Sequence, residues 1–386
     1  MFNTLTLLPS DPIYGMQAVY RGDSRKDKIN LSIGICLDDV GKLLRFRAIQ
    51  EAERRVFEKN PTKEYLPITG LASFCEQAGR LVTGQEGLFH AQTVGGTGAL
   101  FVGAHLLKKS GIHVVYIPEP TWPNHKQLFE AQGFEVRCYP YYNRETISLE
   151  FEKMVDAINH MEEGSCIILQ ASCHNPAGID PTKEEWQILS NAVRERAIFP
   201  FFDLAYLGLG ESLEDDVKGI RCFLDDDHEL LIATTFAKSM GLYNERVGLL
   251  SVQCPKKQHE IIGSQIRSIM RTTYSSPPAH GAYLASELLS DSTLKKMWQD
   301  ELEATCKRLN TQRELLYNTL QSRNCQLPYE HILNSKGLFC LLDIAPEDVV
   351  RLRDEFGIYV ALDGRISLAA ITSSNVAQIA TGLSSI

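Results

Sequence analysis

Cys166-Ile167-Ile168-Leu169-Gln170-Ala171 is an apolar run, and His174-Asn175-Pro176-Ala177-Gly178 comes shortly after it. The pattern recurs twice downstream. Phe199-Pro200-Phe201-Phe202 leads to Asp203 and Tyr206, and Leu230-Leu231-Ile232-Ala233 leads to Thr234-Thr235-Phe236-Ala237-Lys238. Short apolar runs alternating with helical patterns are the signature of strands buried on both faces, in a mostly parallel sheet covered by helices. Thr182 followed by Glu185 is a capping box that opens the helix between the first two runs. In such sheets ligands sit beyond the carboxyl ends of the strands. Asn175, Asp203 and Lys238 are therefore expected to converge on one edge. A lone aspartate at a strand end is usually a cap and a lone lysine is usually solvated, but three such residues at successive strand ends shift that balance.

The alternation extends outward. Ile112 to Ile117 reads as another buried strand, followed by a helix stopped by Gly133 and a strand from Glu135 to Tyr142. Phe46, Ile49, Ala52 and Val56 fall on one helical face, as do Leu71, Phe74, Ala78 and Leu81. After about Pro277 the rhythm changes. A long amphipathic stretch runs from Leu294 to about Arg323, with shorter strands expected near Leu338 to Asp343 and Ile366 to Ala369. We expect an α/β large domain over residues 44–304, a smaller α+β domain over 11–43 and 305–386, and an N-terminal arm over 1–10.

Composition narrows the function. A chain of 386 residues suggests about two domains. The net charge of −9 disfavours nucleic acid and acidic membranes as partners, so an anionic ligand must be held by local positive groups. No apolar stretch reaches ~18 residues, and Met1 to Ser10 lacks a basic start and a long apolar core. Neither a membrane span nor a secretory leader is expected. The ten cysteines form no CxxC pair and lie in apolar segments, which points to reduced core thiols in the cytoplasm and no metal site.

Two further elements concern an anion. Gly95-Gly96-Thr97-Gly98 opens a helix, whose first N–H groups and dipole favour negative charge; a tight turn capped by Thr97 is the plainer reading. Asn244-Glu245-Arg246-Val247-Gly248 sets an arginine at the mouth of an apolar strand, where a carboxylate or a phosphate suits the guanidinium fork. Together the parts suit a pyridine aldehyde phosphate. Lys238 serves for an imine, Asp203 for the ring nitrogen, Arg246 and N–H groups for the phosphate, Tyr206 or Asn175 for the ring oxygen, and Trp122 as a wall.

The motifs also stand in a specific order. Gly-Thr-Gly-Ala at Gly96 to Ala99 is followed by Trp-Pro-Asn-His at Trp122 to His125 and His-Asn-Pro-Ala-Gly at His174 to Gly178. Asp203 with Tyr206, Lys238 to Gly248, and Tyr-Ser-Ser-Pro-Pro-Ala-His-Gly at Tyr274 to Gly281 complete the set. The chain resembles the class I aminotransferases, specifically the aspartate and aromatic amino acid aminotransferases, from Asp11-Pro12-Ile13 to the final helix. The resemblance implies a fold type I, pyridoxal 5'-phosphate-dependent enzyme. It would move amino groups between amino acids and 2-oxo acids as a cytoplasmic homodimer with shared sites.

The resemblance also implies roles. Lys238 would hold the cofactor as an imine and shuttle the proton, Asp203 would pair with the ring nitrogen, Tyr206 and Asn175 would meet the ring oxygen, and Trp122 would stack. Gly96, Thr97, Thr235 and Arg246 would bind the phosphate, and Tyr65 would reach that of the other subunit. Arg365 would clamp the α-carboxylate with Asn175 and the Gly34 backbone, while Arg271 would cross the interface to a side-chain carboxylate. Relatives close the small domain over the substrate.

Some positions depart from the pattern. Ala237 stands where relatives often have a phosphate-touching serine, Gln170 where they often have a histidine supporting the aspartate, and Thr235 where they have a serine. Leu37, Leu43 and Ser276 replace polar residues of strict aspartate enzymes. Both dicarboxylic and aromatic amino acids are therefore expected substrates, with 2-oxoglutarate as acceptor. A decarboxylase or lyase using the same cofactor is the principal alternative. A nucleotide-binding oxidoreductase or kinase lacks its full glycine fingerprint. A non-catalytic relative is at odds with Lys238, Asp203 and Arg246 all being present.

Overall fold

Seven strands hydrogen-bond into one sheet: β1 (Phe89–Val94), β2 (Val114–Glu119), β3 (Glu135–Pro140), β4 (Cys166–Gln170), β5 (Phe199–Leu204), β6 (Leu230–Thr235) and β7 (Val247–Gln253). Their spatial order is β1-β7-β6-β5-β4-β2-β3. Every pairing from β6 through β3 is parallel, and only β7 runs opposite to its two neighbours. The central strands β4, β5 and β6 are buried almost throughout, as expected where helices cover both faces. The fold is a computed structural model describing residues 2–8, 12–323, 325 and 329–386.

Several boundaries differ from the sequence expectation. The strand expected from Glu135 to Tyr142 ends at Pro140, and Tyr142–Asn143 pairs instead with Ser148–Leu149. The strand expected over Ile112 to Ile117 is displaced to Val114–Glu119. Strand β1 carries no clear apolar run because its polar residues are satisfied inside. The Gln92 amide bonds Leu71 N–H and Pro278 C=O, and His90 Nδ1 lies 2.9 Å from Ser251 Oγ.

The helix Gly95–Lys109 packs on the sheet through Leu100, Val102 and Leu106, which share a core with Ile168, Phe201 and Leu231. The Thr182 capping box is complete, with Thr182 Oγ1 accepting from Glu185 N at 3.2 Å and Glu185 Oε2 accepting from Thr182 N at 2.6 Å. It starts the helix Lys183–Glu195, which buries Trp186, Leu189 and Val193. These elements belong to a unit spanning Leu44–Arg308.

A second unit comprises Met1–Leu43 and Leu309–Ile386. In it Ile29–Asn30 pairs with Ile358–Tyr359, and Phe339–Leu341 pairs with Arg365–Ser367. Leu316, Ile332, Leu352, Ile366 and Ile379 form its core. The helix Ser292–Ser322 runs through the sequence boundary between the units.

The cysteines need one correction. Cys36, Cys75, Cys166, Cys173, Cys306 and Cys340 are buried, but Cys138 is exposed on β3 and Cys222, Cys254 and Cys325 are half-buried. Strand β3 is the lateral edge of the sheet, and Glu135 and Cys138 are its exposed residues. No described helix is long and apolar enough to cross a membrane.

Candidate active site

The carboxyl ends of β4, β5 and β6 meet at one edge of the sheet. Gln170 is in register with Asp203, and Asp203 with Ala233, two residues before Thr235. Because β7 runs in the opposite direction, its first residue lies at this same edge, with Val247 opposite Val94. Arg246, immediately before β7, and Gly95, immediately after β1, are thereby brought together.

Their turns are interlocked. Gly95 adopts φ +67° and donates its N–H to the Arg246 carbonyl at 2.9 Å, and Arg246 itself sits at φ +56°. A non-glycine residue in that region costs about 1 kcal/mol or more, so the surrounding contacts must hold it there. A Cβ on Gly248 would lie 2.4 Å from the Gly95 carbonyl carbon, which requires glycine at that crossing. No side chain caps the helix at Gly95, and Thr97 is exposed, so the turn capped by Thr97 is not formed. The first N–H groups of the helix are left for another acceptor. Thr235 lies beside them, its Cβ 3.2 Å from where a Cβ on Gly96 would stand. Ala237 has no hydroxyl, but its N–H donates to Thr235 Oγ1 at 3.2 Å.

Lys238 is half-buried, with Nζ 4.8 Å from the centre of the Tyr206 ring. Asp203 is buried, and its Oδ2 accepts from His125 Nε2 at 3.0 Å. His125 Nδ1 lies 2.8 Å from Thr121 Oγ1, and half-buried Trp122 meets the His125 ring edge-on at 5.4 Å. His125 supports the aspartate from the Trp122–His125 motif, so Gln170 leaves no gap there. Instead, Gln170 bonds Thr121 and the Asn175 main chain.

The Asn175 loop is held by residues without an assignment from the sequence. Ser172 and Cys173 both have positive φ, and Asp180 accepts the N–H groups of Cys173 and His174 at 2.7 and 2.9 Å. The His174 ring stacks on Tyr141 at 3.8 Å, and the Tyr141 hydroxyl donates to Ile179 C=O at 2.8 Å. Burial, with His125 nearby, holds the His174 imidazole well below its usual range. The Thr121–His125 spacing of four residues was visible in the sequence, but the role of Asp180 depends on the folded loop.

The remaining expected residues have the following surroundings. Tyr65 is 95% exposed, and Arg271 is exposed with its guanidinium on the Ser275 hydroxyl. In the second unit Arg365 is buried, donates to Ser32 C=O at 2.9 Å and lies 4.1 Å from the Phe339 ring centre. Gly34 approaches that same ring, where an added Cβ would lie 2.7 Å from Cζ. Leu37 and Leu43 form an isolated antiparallel bridge.

Residues 26–383 match the family Aminotransferase class I and II. The chain is 38% identical to the aspartate aminotransferase of Escherichia coli (strain K12), with 98% of each protein covered. It is 37% identical to the mitochondrial aspartate aminotransferase of Xenopus tropicalis, covering 96% of this chain and 90% of the relative. Among solved structures, it superposes with TM-score 0.97 on the aromatic-amino-acid aminotransferase of Burkholderia pseudomallei, solved covalently bound to pyridoxal phosphate. That pair is 34% identical, covering 100% of this chain and 99% of the other. With the edge geometry above, a match over nearly the whole length places the chain in the class I and II aminotransferase family.

Proposed function

We propose that this aminotransferase acts on aspartate, glutamate and aromatic amino acids, with 2-oxoglutarate or oxaloacetate as amino acceptor, as a cytoplasmic homodimer. The chemistry is pyridoxal-phosphate-dependent transamination by a ping-pong route. The observation that carries the reading is the single sheet edge where a lysine, a buried aspartate, an arginine and an uncapped helix start occur together.

The donor set fits the cofactor. The Gly96 and Thr97 backbone, the Thr235 hydroxyl and the Arg246 guanidinium suit a phosphate. His125 occupies Oδ2 of Asp203, while Oδ1 receives no donor among the described residues and suits a ring N–H. When bound, pyridoxal phosphate supplies the electron sink for the pair left at the substrate α-carbon. Lys238 Nζ would hold the cofactor and, once free, would take the proton from the substrate α-carbon. Asp203 would keep the ring nitrogen protonated. Tyr206 and Asn175 would serve the ring oxygen, and Trp122 would wall the ring face. We assign the α-carboxylate to Arg365, with Asn175 and the Gly34 backbone. Arg271 and Tyr65 are assigned across the homodimer interface, to the side-chain carboxylate and the phosphate respectively.

Substrate range follows from opposing terms. Burying a phenyl ring is worth about 1.5–3 kcal/mol, whereas a guanidinium fork favours a side-chain carboxylate. The apolar Leu37 and Leu43 favour the first and Arg271 favours dicarboxylates, so both classes are accepted. Relatives named for aspartate and for aromatic amino acids both align nearly end to end, which supports this range. Steady-state kinetics with aspartate, tyrosine and phenylalanine test it, and absence of turnover for both aromatics would refute dual use. Release of carbon dioxide from aspartate would instead favour a decarboxylase.

A further inference from the structure

Gln170 connects the two halves of the site. Its Oε1 accepts from Asn175 N–H at 2.9 Å, and its Nε2 donates to Asn175 C=O at 3.1 Å. This two-point match to one residue's main chain fixes the amide orientation, because the flipped amide sets donor against donor and acceptor against acceptor. The remaining Nε2 hydrogen is directed to Thr121 Oγ1 at 3.2 Å. Gln170 thus presents a donor and no acceptor to the Thr121 hydroxyl, whose own proton has only His125 Nδ1, at 2.8 Å, as acceptor among the described residues. A ring nitrogen that accepts carries no proton, so the His125 proton lies on Nε2, which donates to Asp203 Oδ2 at 3.0 Å.

We propose that Gln170 is a positioning residue that, through Thr121, fixes His125 as the Nε2–H tautomer and so leaves Asp203 its full negative charge for the cofactor ring nitrogen. The last clause rests on the functional reading above, whereas the tautomer order rests on the chain alone. A histidine charged at both nitrogens would divide the Asp203 carboxylate between two cations. The directed amide opposes this because its oxygen is held on Asn175 N–H, so a His125 charged at both nitrogens would leave the Thr121 proton without an acceptor among the described residues. Among the described residues, the charged or titratable groups facing His125 are Asp203 and the buried His174, while Trp122 meets its ring edge-on. The same amide sets the Asn175 main chain, so the residues assigned to the ring oxygen and the ring nitrogen share one register.

The test is ¹⁵N NMR of histidine-labelled protein before and after loading with pyridoxal phosphate, with His125 assigned by loss of its signal in His125→Asn. The expected result is a protonated Nε2 and an unprotonated Nδ1 in both states. Gln170→Glu, which presents Thr121 an acceptor in place of the amide donor, and Thr121→Val should give mixed tautomers and release pyridoxal phosphate about three- to tenfold faster, the range for one lost neutral hydrogen bond. Thr121→Ser, which keeps the hydroxyl, should retain the wild-type values of both readouts. A proton on Nδ1 in the wild type, or an unchanged His125 signal and release rate in Gln170→Glu, overturns the inference. If the protein never takes up pyridoxal phosphate but shows the Nε2–H tautomer, the functional reading fails and the tautomer order stands.

Discussion

At the scale of single residues, the site depends on groups whose chemistry cannot be exchanged. Arg365 is buried in the second unit against Ser32 and Phe339, and its assigned partner is the substrate α-carboxylate. Losing a buried charge partner costs about 2–5 kcal/mol, so Arg365→Ala should lower kcat/KM for every amino acid substrate by about 30-fold or more. A matching loss for aspartate and phenylalanine is expected, since both carry that carboxylate; a loss confined to one refutes the assignment. Gly248→Ala should act differently. Its Cβ would meet the Gly95 backbone at 2.4 Å, forcing apart the turns that carry Arg246 and the helix start. Overpacking of this kind costs about 1–3 kcal/mol. Thermal unfolding should show the loss, with weaker retention of pyridoxal phosphate measured by dialysis.

Among the secondary-structure elements, those whose sequence pattern matches their environment were legible. β4, β5 and β6 are buried on both faces, so their apolar runs marked them, and the residues after them indicated the ligand edge. β1 was not visible, because its polar side chains are satisfied by partners remote in sequence, such as Ser251 and Pro278. Asp180 was equally hidden: nothing local shows that its carboxylate collects two N–H groups from a left-handed turn. His125 lies inside the Trp122–His125 motif, yet only the fold sets it against Asp203. The capping box is local and was readable from Thr182 and Glu185 alone. Thr182→Ala should destabilise the large unit by about 1 kcal/mol in denaturant unfolding, with little effect on kcat.

For the whole molecule, pH and assembly are the relevant variables. Burial holds the His90 imidazole down at about 4. The folded state therefore keeps His90 neutral where the unfolded chain, near 6.5, takes up a proton. This contribution is fully present above pH 6.5 and is lost as pH falls toward 4. Burial pushes the Asp216 carboxyl up to about 6, against donors from Gly210 and Glu211. Its contribution has the opposite sign: it is present below about pH 4 and lost as pH rises through 6. His90→Gln should flatten the decline in thermal midpoint between pH 6.5 and 4, and an unchanged decline would remove His90 as its cause.

Assembly is tested by mixing. If Arg271 serves the neighbouring subunit, inactive Lys238→Ala chains combined with Arg271→Ala chains should regain aspartate turnover, because each mixed dimer rebuilds one intact site. Mixtures no more active than the sum of their parts would exclude shared sites.

The central claim is that Lys238, three residues beyond β6 and beside Tyr206, is the cofactor lysine. Borohydride reduction of the loaded protein, followed by mass spectrometry of its peptides, tests this most directly. The expected result is one added pyridoxal phosphate on the peptide containing Lys238, and none after reduction of Lys238→Ala. Attachment at another lysine, or no attachment, would contradict the account.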